Sequence, residues 1–282
     1  MALMQEIPIP QLGTNDVLVR VVAVSLNYRD ITISKGFYPL PLCPDPVPVS
    51  DGADVIVALD QHQFGPLRLE HIENSLGGLI EGVLSHYAVL PAEFVIPLPR
   101  NLSFIEGSTL PVAGLTAWNA LFGDHGRPLK HGQWVLTQGT GGCWCESDRN
   151  QFLGNESGQA EEDHPEWGQA AKDLTPDKRG VDLVVDIGGI ATFGQSLKAI
   201  KTDGFISMVG FRGGLTGEQP SLVDWISSFA FYEGMNRVIE ANNIKPVVDE
   251  RVFKFEHAKE AFEYMEGGTQ FGKVCIRVAT DI

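Results

Sequence analysis

The residues best suited to chemistry in this chain are glycines. Gly139, Gly141 and Gly142 follow directly on Trp134-Val-Leu-Thr-Gln138, a run whose apolar, β-branched character predicts a buried strand. A glycine turn at the end of such a strand lets backbone N–H groups approach phosphate oxygens that a Cβ would hold off. Glycines also serve plain turns, so Gly139-Thr140-Gly141-Gly142 draws its weight from its position. Two further runs end in the same way. Asp182-Leu-Val-Val-Asp-Ile187 leads into Gly188-Gly189, and Gly204-Phe-Ile-Ser-Met-Val209 leads into Gly210. Ligands of open parallel sheets sit outside the carboxyl ends of the strands. Three glycine-bearing strand ends therefore predict a nucleotide crevice, with Gly139, Thr140, Gly141 and Gly142 at the pyrophosphate.

The elements that position these turns follow from periodicity. Thr192 to Ile200 reads as a helix between the second and third strands. Short apolar strands separated by helices pair in parallel through right-handed crossovers. The helix expected after the first glycine turn has no counterpart in sequence. Glu, Asp, Asn, Gln and Gly dominate residues 146–168, which predicts an exposed or disordered loop. Trp144 also stands where tight helix–strand packing wants a small residue. The parallel sheet is thus expected to be incomplete, with 143–168 as an irregular insertion.

The rest of the chain reads as β structure. Val17–Val24, Val55–Ala58 and Tyr87–Leu90 are strand-like, and Pro39, Pro41, Pro44, Pro46 and Pro48 forbid helix or central strand between them. Ser103 with Glu106 has capping-box spacing, and apolar residues recur at helical intervals up to Gly123. Near the end, Val247-Val248, Val252–Phe255 and Lys273–Val278 are strand-like around a helix over 257–265, closed by Gly267-Gly268.

Composition excludes several functions. With 21 basic against 36 acidic residues the formal charge is -15 and the pI about 4.8, which argues against nucleic-acid or anionic-membrane partners. No run approaches the length needed to cross a bilayer, and the first residues lack a basic stretch followed by an apolar one, so a cytoplasmic protein is expected. Cys43, Cys143, Cys145 and Cys275 are too sparse for a disulfide framework. Cys143 and Cys145 lack a second pair or a His cluster to complete a metal site.

Further motifs occur in a fixed order: Leu26-Asn-Tyr-Arg-Asp30, Ser50-Asp-Gly52, Gly77-Gly78, Glu81-Gly-Val-Leu84, Leu110-Pro-Val-Ala-Gly-Leu-Thr-Ala-Trp118, Gln138–Gly142 and Phe271-Gly-Lys273. Together they resemble the zinc-independent, quinone-reductase-like branch of the medium-chain dehydrogenase/reductase superfamily. The resemblance implies an α/β protein: a GroES-like β-barrel domain over 1–122 with 246–282, and an incomplete Rossmann doubly wound sheet over 123–245. It implies NADPH or NADH as cofactor and no zinc, since Asn27-Tyr28 replaces the cysteine of the zinc branch and its His-Glu pair is absent.

Site residues follow from the same resemblance. Asn27, Tyr28 and Asp30 match the loop lining the substrate cleft, where an amide or phenol can hydrogen-bond a carbonyl oxygen; Tyr28 packing between domains is an equal alternative. Thr116 matches a position near the nicotinamide. Lys273 either meets a phosphate as a point charge or is solvated at a strand start. Gly188, Gly189 and Gly210 complete the cofactor set. The implied activity is reduction of an enone, enal or quinone, a small-molecule substrate, with a homodimer compatible with family analogy. The alternative is a cofactor-free accessory protein that keeps the family shell.

Overall fold

The computed structural model describes residues 6–38, 42–53, 56–57, 75–92, 95–123, 128–138, 151–155, 166–210 and 232–280, with 56–57, 151–155 and 232–234 described in backbone only. The described residues divide into two compact units. One gathers those up to Ala117 with 232–280, the other those from Trp118 to 210.

In the first unit, β1 (Asp16–Arg20) pairs antiparallel with β5 (Tyr87–Pro91), Leu18 opposite Val89. A four-stranded sheet has the order β11-β12-β2-β3, from Phe253–Lys254, Cys275–Arg277, Ala23–Ser25 and Asp51–Ala53. A further pair joins β4 (Ile56–Val57) and β6 (Val95–Ile96). The single strand expected over 17–24 is broken at Val21-Val22. Val21 N–H still bonds to His86 O beside β5, whereas Val22 N–H bonds to Ala53 O at the end of β3. The chain changes sheets there, a corner that apolar patterning cannot reveal. Both valines are buried, and Val24, Leu26, Val49, Val83, Phe262 and Ile276 share a core with Val21.

Helix α1 (Tyr28–Ser34) follows β2 directly, and Asn27 is its N-cap. The Ser103–Glu106 box forms as expected. Ser103 N–H donates to Glu106 Oε2 at 2.8 Å and Glu106 N–H to Ser103 Oγ at 3.3 Å, opening α2 (Phe104–Gly107). A π-helical turn over Leu110–Gly114 leads into α3 (Leu115–Phe122).

The second unit is built on a parallel sheet of order β10-β9-β7-β8 among the described strands. Trp134–Gln138 forms β7 and Val181–Asp186 forms β9, whose six residues are all buried, as a strand covered on both faces requires. Helices α4 (Trp167–Leu174) and α5 (Ile190–Ala199) pack on it through Trp167, Ala171, Leu136, Val184 and Ala199. Ile200–Met208 forms β10, longer than expected and bulged between Ile200 and Phe205.

Two expectations need correction. Within the segment read as an irregular loop, Gln151–Asn155 forms β8, parallel to β7 with Leu136 opposite Leu153, and Trp167 opens α4. The exposed edge of β7 offers N–H and C=O groups to any extended backbone, and such pairing overrides a composition poor in strand formers. The domain boundary expected at 245 also falls elsewhere. Helix α6 (Tyr232–Asn242) lies in the first unit, where Asn236 Nδ2 donates to Pro97 O and Arg100 N–H donates to Glu240 Oε1.

Candidate active site

In the first unit, sheet register assembles the site. Ser25 pairs with Cys275 on β12 and with Asp51 on β3. Alternate residues share a face. Asn27, two residues beyond Ser25, therefore comes opposite Lys273, two residues before Cys275, and Leu26 N–H to Val274 O at 2.9 Å continues that ladder. Lys273 Nζ donates to Leu26 O at 2.7 Å and to Asn27 Oδ1, and stands 3.8 Å from Asp51 Oδ2. The two charged side chains are 6% and 0% exposed. Asp51 also accepts from Ser25 Oγ at 3.3 Å and from Ser50 Oγ at 3.4 Å.

Burial sets the electrostatics here. It raises the Asp51 carboxyl, opposed by the Lys273 ammonium first and then by Asn27, the Val112 backbone N–H and Arg29. Asp30 accepts the Asn27 backbone N–H at 2.7 Å through Oδ2, the reverse half of a capping box. Burial pushes this carboxyl up to about 6, outweighing Arg29 and that hydrogen bond. Asn27 Nδ2 and Asp30 Oδ1 are buried and have no hydrogen-bond partner among the described residues. A donor and a carboxyl that titrates near neutrality are thus held side by side at the start of α1. Cys275 is inert, since burial pushes its thiol up to about 12.

Tyr28, the first residue of α1, is 45% exposed, and Thr116 is half-buried in α3. Lys273 is placed otherwise than either sequence reading allowed. It is neither solvated nor directed to a phosphate, because a buried ammonium needs acceptors and Leu26, Asn27 and Asp51 supply them.

The second unit holds another polar cluster, at the carboxyl ends of β7 and β9. Gln138 Oε1 accepts the backbone N–H groups of Ile187 and Gly188, both at 2.9 Å, while its Nε2 donates to Ser196 Oγ at 3.2 Å. Asp186 accepts from Gly189 N–H at 2.8 Å, Thr192 Oγ1 at 2.7 Å and Ser196 Oγ at 2.6 Å. Gly188 and Gly189, expected at a cofactor, thus have their N–H groups engaged within the fold. Gly210 packs close to Ile187, where a Cβ would come 2.8 Å from its carbonyl oxygen. Gly139, Thr140, Gly141 and Gly142 lie outside the described residues.

Sequence reasoning missed the roles of Asp51, Gln138, Asp186 and Ser196. Asp186 carried a usable signal: an acid ending an otherwise apolar buried strand must find donors in the turn that follows.

Residues 13–100 match the family described as alcohol dehydrogenase GroES-like domain, and residues 168–276 the one described as zinc-binding dehydrogenase. A zinc-type alcohol dehydrogenase-like protein of Schizosaccharomyces pombe is 34% identical, over 97% of this chain and 94% of that protein. That alignment spans 328 positions against 282 residues here, so segments of the relative have no counterpart in this chain. The 2-methylene-furan-3-one reductase of Solanum lycopersicum is 27% identical over 96% of this chain and 74% of its own. A crystal structure of a putative alcohol dehydrogenase from Sinorhizobium meliloti 1021 superposes with a TM-score of 0.76 at 30% identity, covering 96% of this chain and 93% of that one.

Two of these names mention zinc, but the residues around Asn27 do not fit a metal ion. The Lys273 ammonium already meets the Asn27 and Asp51 oxygens, and the thiol in the same row stays protonated. Among the described residues, no three His, Cys, Asp or Glu side chains gather as a ligand set. No helix described is long and apolar enough to cross a membrane.

Proposed function

This chain belongs to the medium-chain dehydrogenase/reductase superfamily, a GroES-like domain joined to an α/β domain with a parallel sheet, and we propose that it is a zinc-independent, NAD(P)H-dependent oxidoreductase acting on an enone, enal or quinone. The observation that carries this reading is the set of glycine-bearing carboxyl ends on three neighbouring parallel strands, β7, β9 and β10. NAD(P)H bound there supplies the hydride. With the N–H groups of Gly188 and Gly189 engaged by Gln138 and Asp186, the pyrophosphate falls to the backbone of Gly139, Thr140, Gly141 and Gly142. The Gln138–Asp186–Ser196 cluster satisfies the polar groups of the β9–α5 turn. Thr116 is assigned to the nicotinamide by family resemblance.

Substrate handling is assigned to α1. As a conjugated carbonyl is reduced, negative charge grows on its oxygen, and the Asn27 amide at the start of α1 is assigned to meet it. Asp30, pushed up to about 6, keeps a proton on part of the molecules near neutrality and can pass it from Oδ1 to the product. Tyr28 opens the same helix. The tomato relative is named for reducing a 2-methylene-furan-3-one, an exocyclic enone, which supports this substrate class.

Titration of the purified protein with NADPH, followed by nicotinamide fluorescence and then by NADPH oxidation with 2-cyclohexenone, tests the reading. Saturable binding and turnover are expected. A flat response at millimolar cofactor would overturn it in favour of the second reading, a cofactor-free accessory protein. The engagement of the Gly188 and Gly189 amides by the fold itself favours that second reading.

A further inference from the structure

Three consecutive backbone N–H groups, those of Ile187, Gly188 and Gly189, meet side-chain oxygens just before α5. Successive N–H groups in a turn form a concavity suited to a phosphate oxygen. Here the fold fills that concavity itself. Gln138 Oε1 takes the first two N–H groups, each at 2.9 Å, and Asp186 Oδ1 takes the third at 2.8 Å. Two donors facing the Gln138 amide leave only its oxygen branch free to meet them. Nε2 is then directed to Ser196 Oγ at 3.2 Å, and that hydroxyl donates onward to Asp186 Oδ2 at 2.6 Å. Strand register delivers the amide: Thr137 pairs with Val185, so Gln138 and Asp186 stand side by side on β7 and β9. Gln138 is 4% exposed and Asp186 fully buried. A Glu in place of Gln138 would set a second carboxyl beside Asp186 and bring no donor to Ser196, so the neutral amide is the group that fits both neighbours.

We infer that Gln138 is a positioning residue for the cofactor: its amide closes the β9–α5 turn to the diphosphate and commits the diphosphate to Gly139, Thr140, Gly141 and Gly142, which follow it in the chain. The inference rests on the proposed reading of those four residues as the diphosphate site. A dinucleotide offered both sets of N–H groups could bind in two registers, and only one of them would bring the nicotinamide to the substrate.

Two variants of the full chain test it. Gln138→Ala leaves a gap the size of the lost group, which free acetamide can refill. Gln138→Met keeps the bulk without an acceptor, so acetamide finds no room. The readouts are NADPH affinity, kcat for 2-cyclohexenone, and hydrogen exchange at the Ile187 and Gly188 amides, each with and without acetamide. In the wild type those amides are expected to exchange slowly, and at the same rate with NADPH bound. Both variants should exchange faster there. Gln138→Ala should also lose kcat by up to about 10²-fold, the cost of misplacing a bound reactant by about 1 Å. Acetamide should restore slow exchange and kcat in Gln138→Ala and leave Gln138→Met as it was. An amide that merely stabilised the fold would lower the unfolding midpoint of both variants and leave kcat per folded chain unmoved.

Exchange at Ile187 or Gly188 that changes when NADPH binds would overturn the inference in the unmodified chain, even where a variant does not fold. So would wild-type kcat in folded Gln138→Ala, or acetamide acting alike on both variants. A chain that ignores NADPH yet regains slow exchange with acetamide keeps the closed turn and loses the cofactor reading. One that shows neither response loses both.

Discussion

Asp30 joins structure and reactivity in one side chain. Its Oδ2 caps the start of α1, while burial raises its carboxyl from 3.8 to about 6. On unfolding, the group returns to about 3.9. Between those two values the native state binds the proton and the unfolded state does not, so stability falls as pH rises. The penalty is absent below about 4 and complete above about 6, and a shift of that size amounts to about 3 kcal/mol. Asp30→Asn keeps an acceptor for the Asn27 N–H and removes the titration. Relative to wild type, the variant should gain about 1–3 kcal/mol at neutral pH and little near pH 4, read from urea midpoints at both. Asp51 is raised in the same direction but is present in both chains, so it cancels. Equal midpoint differences at the two pH values would mean that Asp30 does not hold its proton.

Among the elements, the contact of α4 with α5 leaves no room for a side chain at Gly168. A Cβ on Gly168 would overlap the backbone carbonyl oxygen of Gln195, which cannot yield unless α5 moves, and Gly168 N–H donates to Gln195 Oε1 at 3.0 Å. Gly168→Val should lower stability by about 2–3 kcal/mol through overpacking. Gly194 is its control. On the same helix α5, a Cβ there meets nothing within 4 Å, so Gly194→Ala should raise stability by about 0.5–1 kcal/mol. Equal urea midpoints for the two variants would contradict the packing described. These elements also mark what sequence can reveal. Strands β7 and β9, helix α5 and the Ser103–Glu106 cap are legible because each is fixed by its own residues. The break at Val21-Val22 and strand β8 are not, because both are decided by distant partners: Ala53 and His86 in one case, the edge of β7 in the other.

At the scale of the whole molecule, that division explains why the candidate site was only half visible. Asn27, Tyr28 and Asp30 stand within one short motif, which is how family resemblance nominates them. Asp51 and Lys273 belong to the same cluster but are brought together by strand pairing, so no local spacing marks them as partners, and neither a phosphate contact nor a solvated lysine describes Lys273. Net charge acts at this scale too. The chain carries -15, and NADPH is itself an anion, so the average field opposes binding unless local amides overcome it. Raising ionic strength from about 0.01 to about 0.15 M shortens the screening length from roughly 30 to roughly 8 Å. NADPH affinity should therefore strengthen with salt over that range. A cofactor at about 100 times its dissociation constant should add about 2.7 kcal/mol to unfolding, visible as a midpoint that climbs with NADPH concentration. Calorimetry across an NADPH series at both salt levels measures the two effects together. Affinity that weakens with salt would place a basic cluster, not backbone amides, at the phosphates. A midpoint indifferent to NADPH at either salt would leave the parallel sheet as a scaffold without a cofactor.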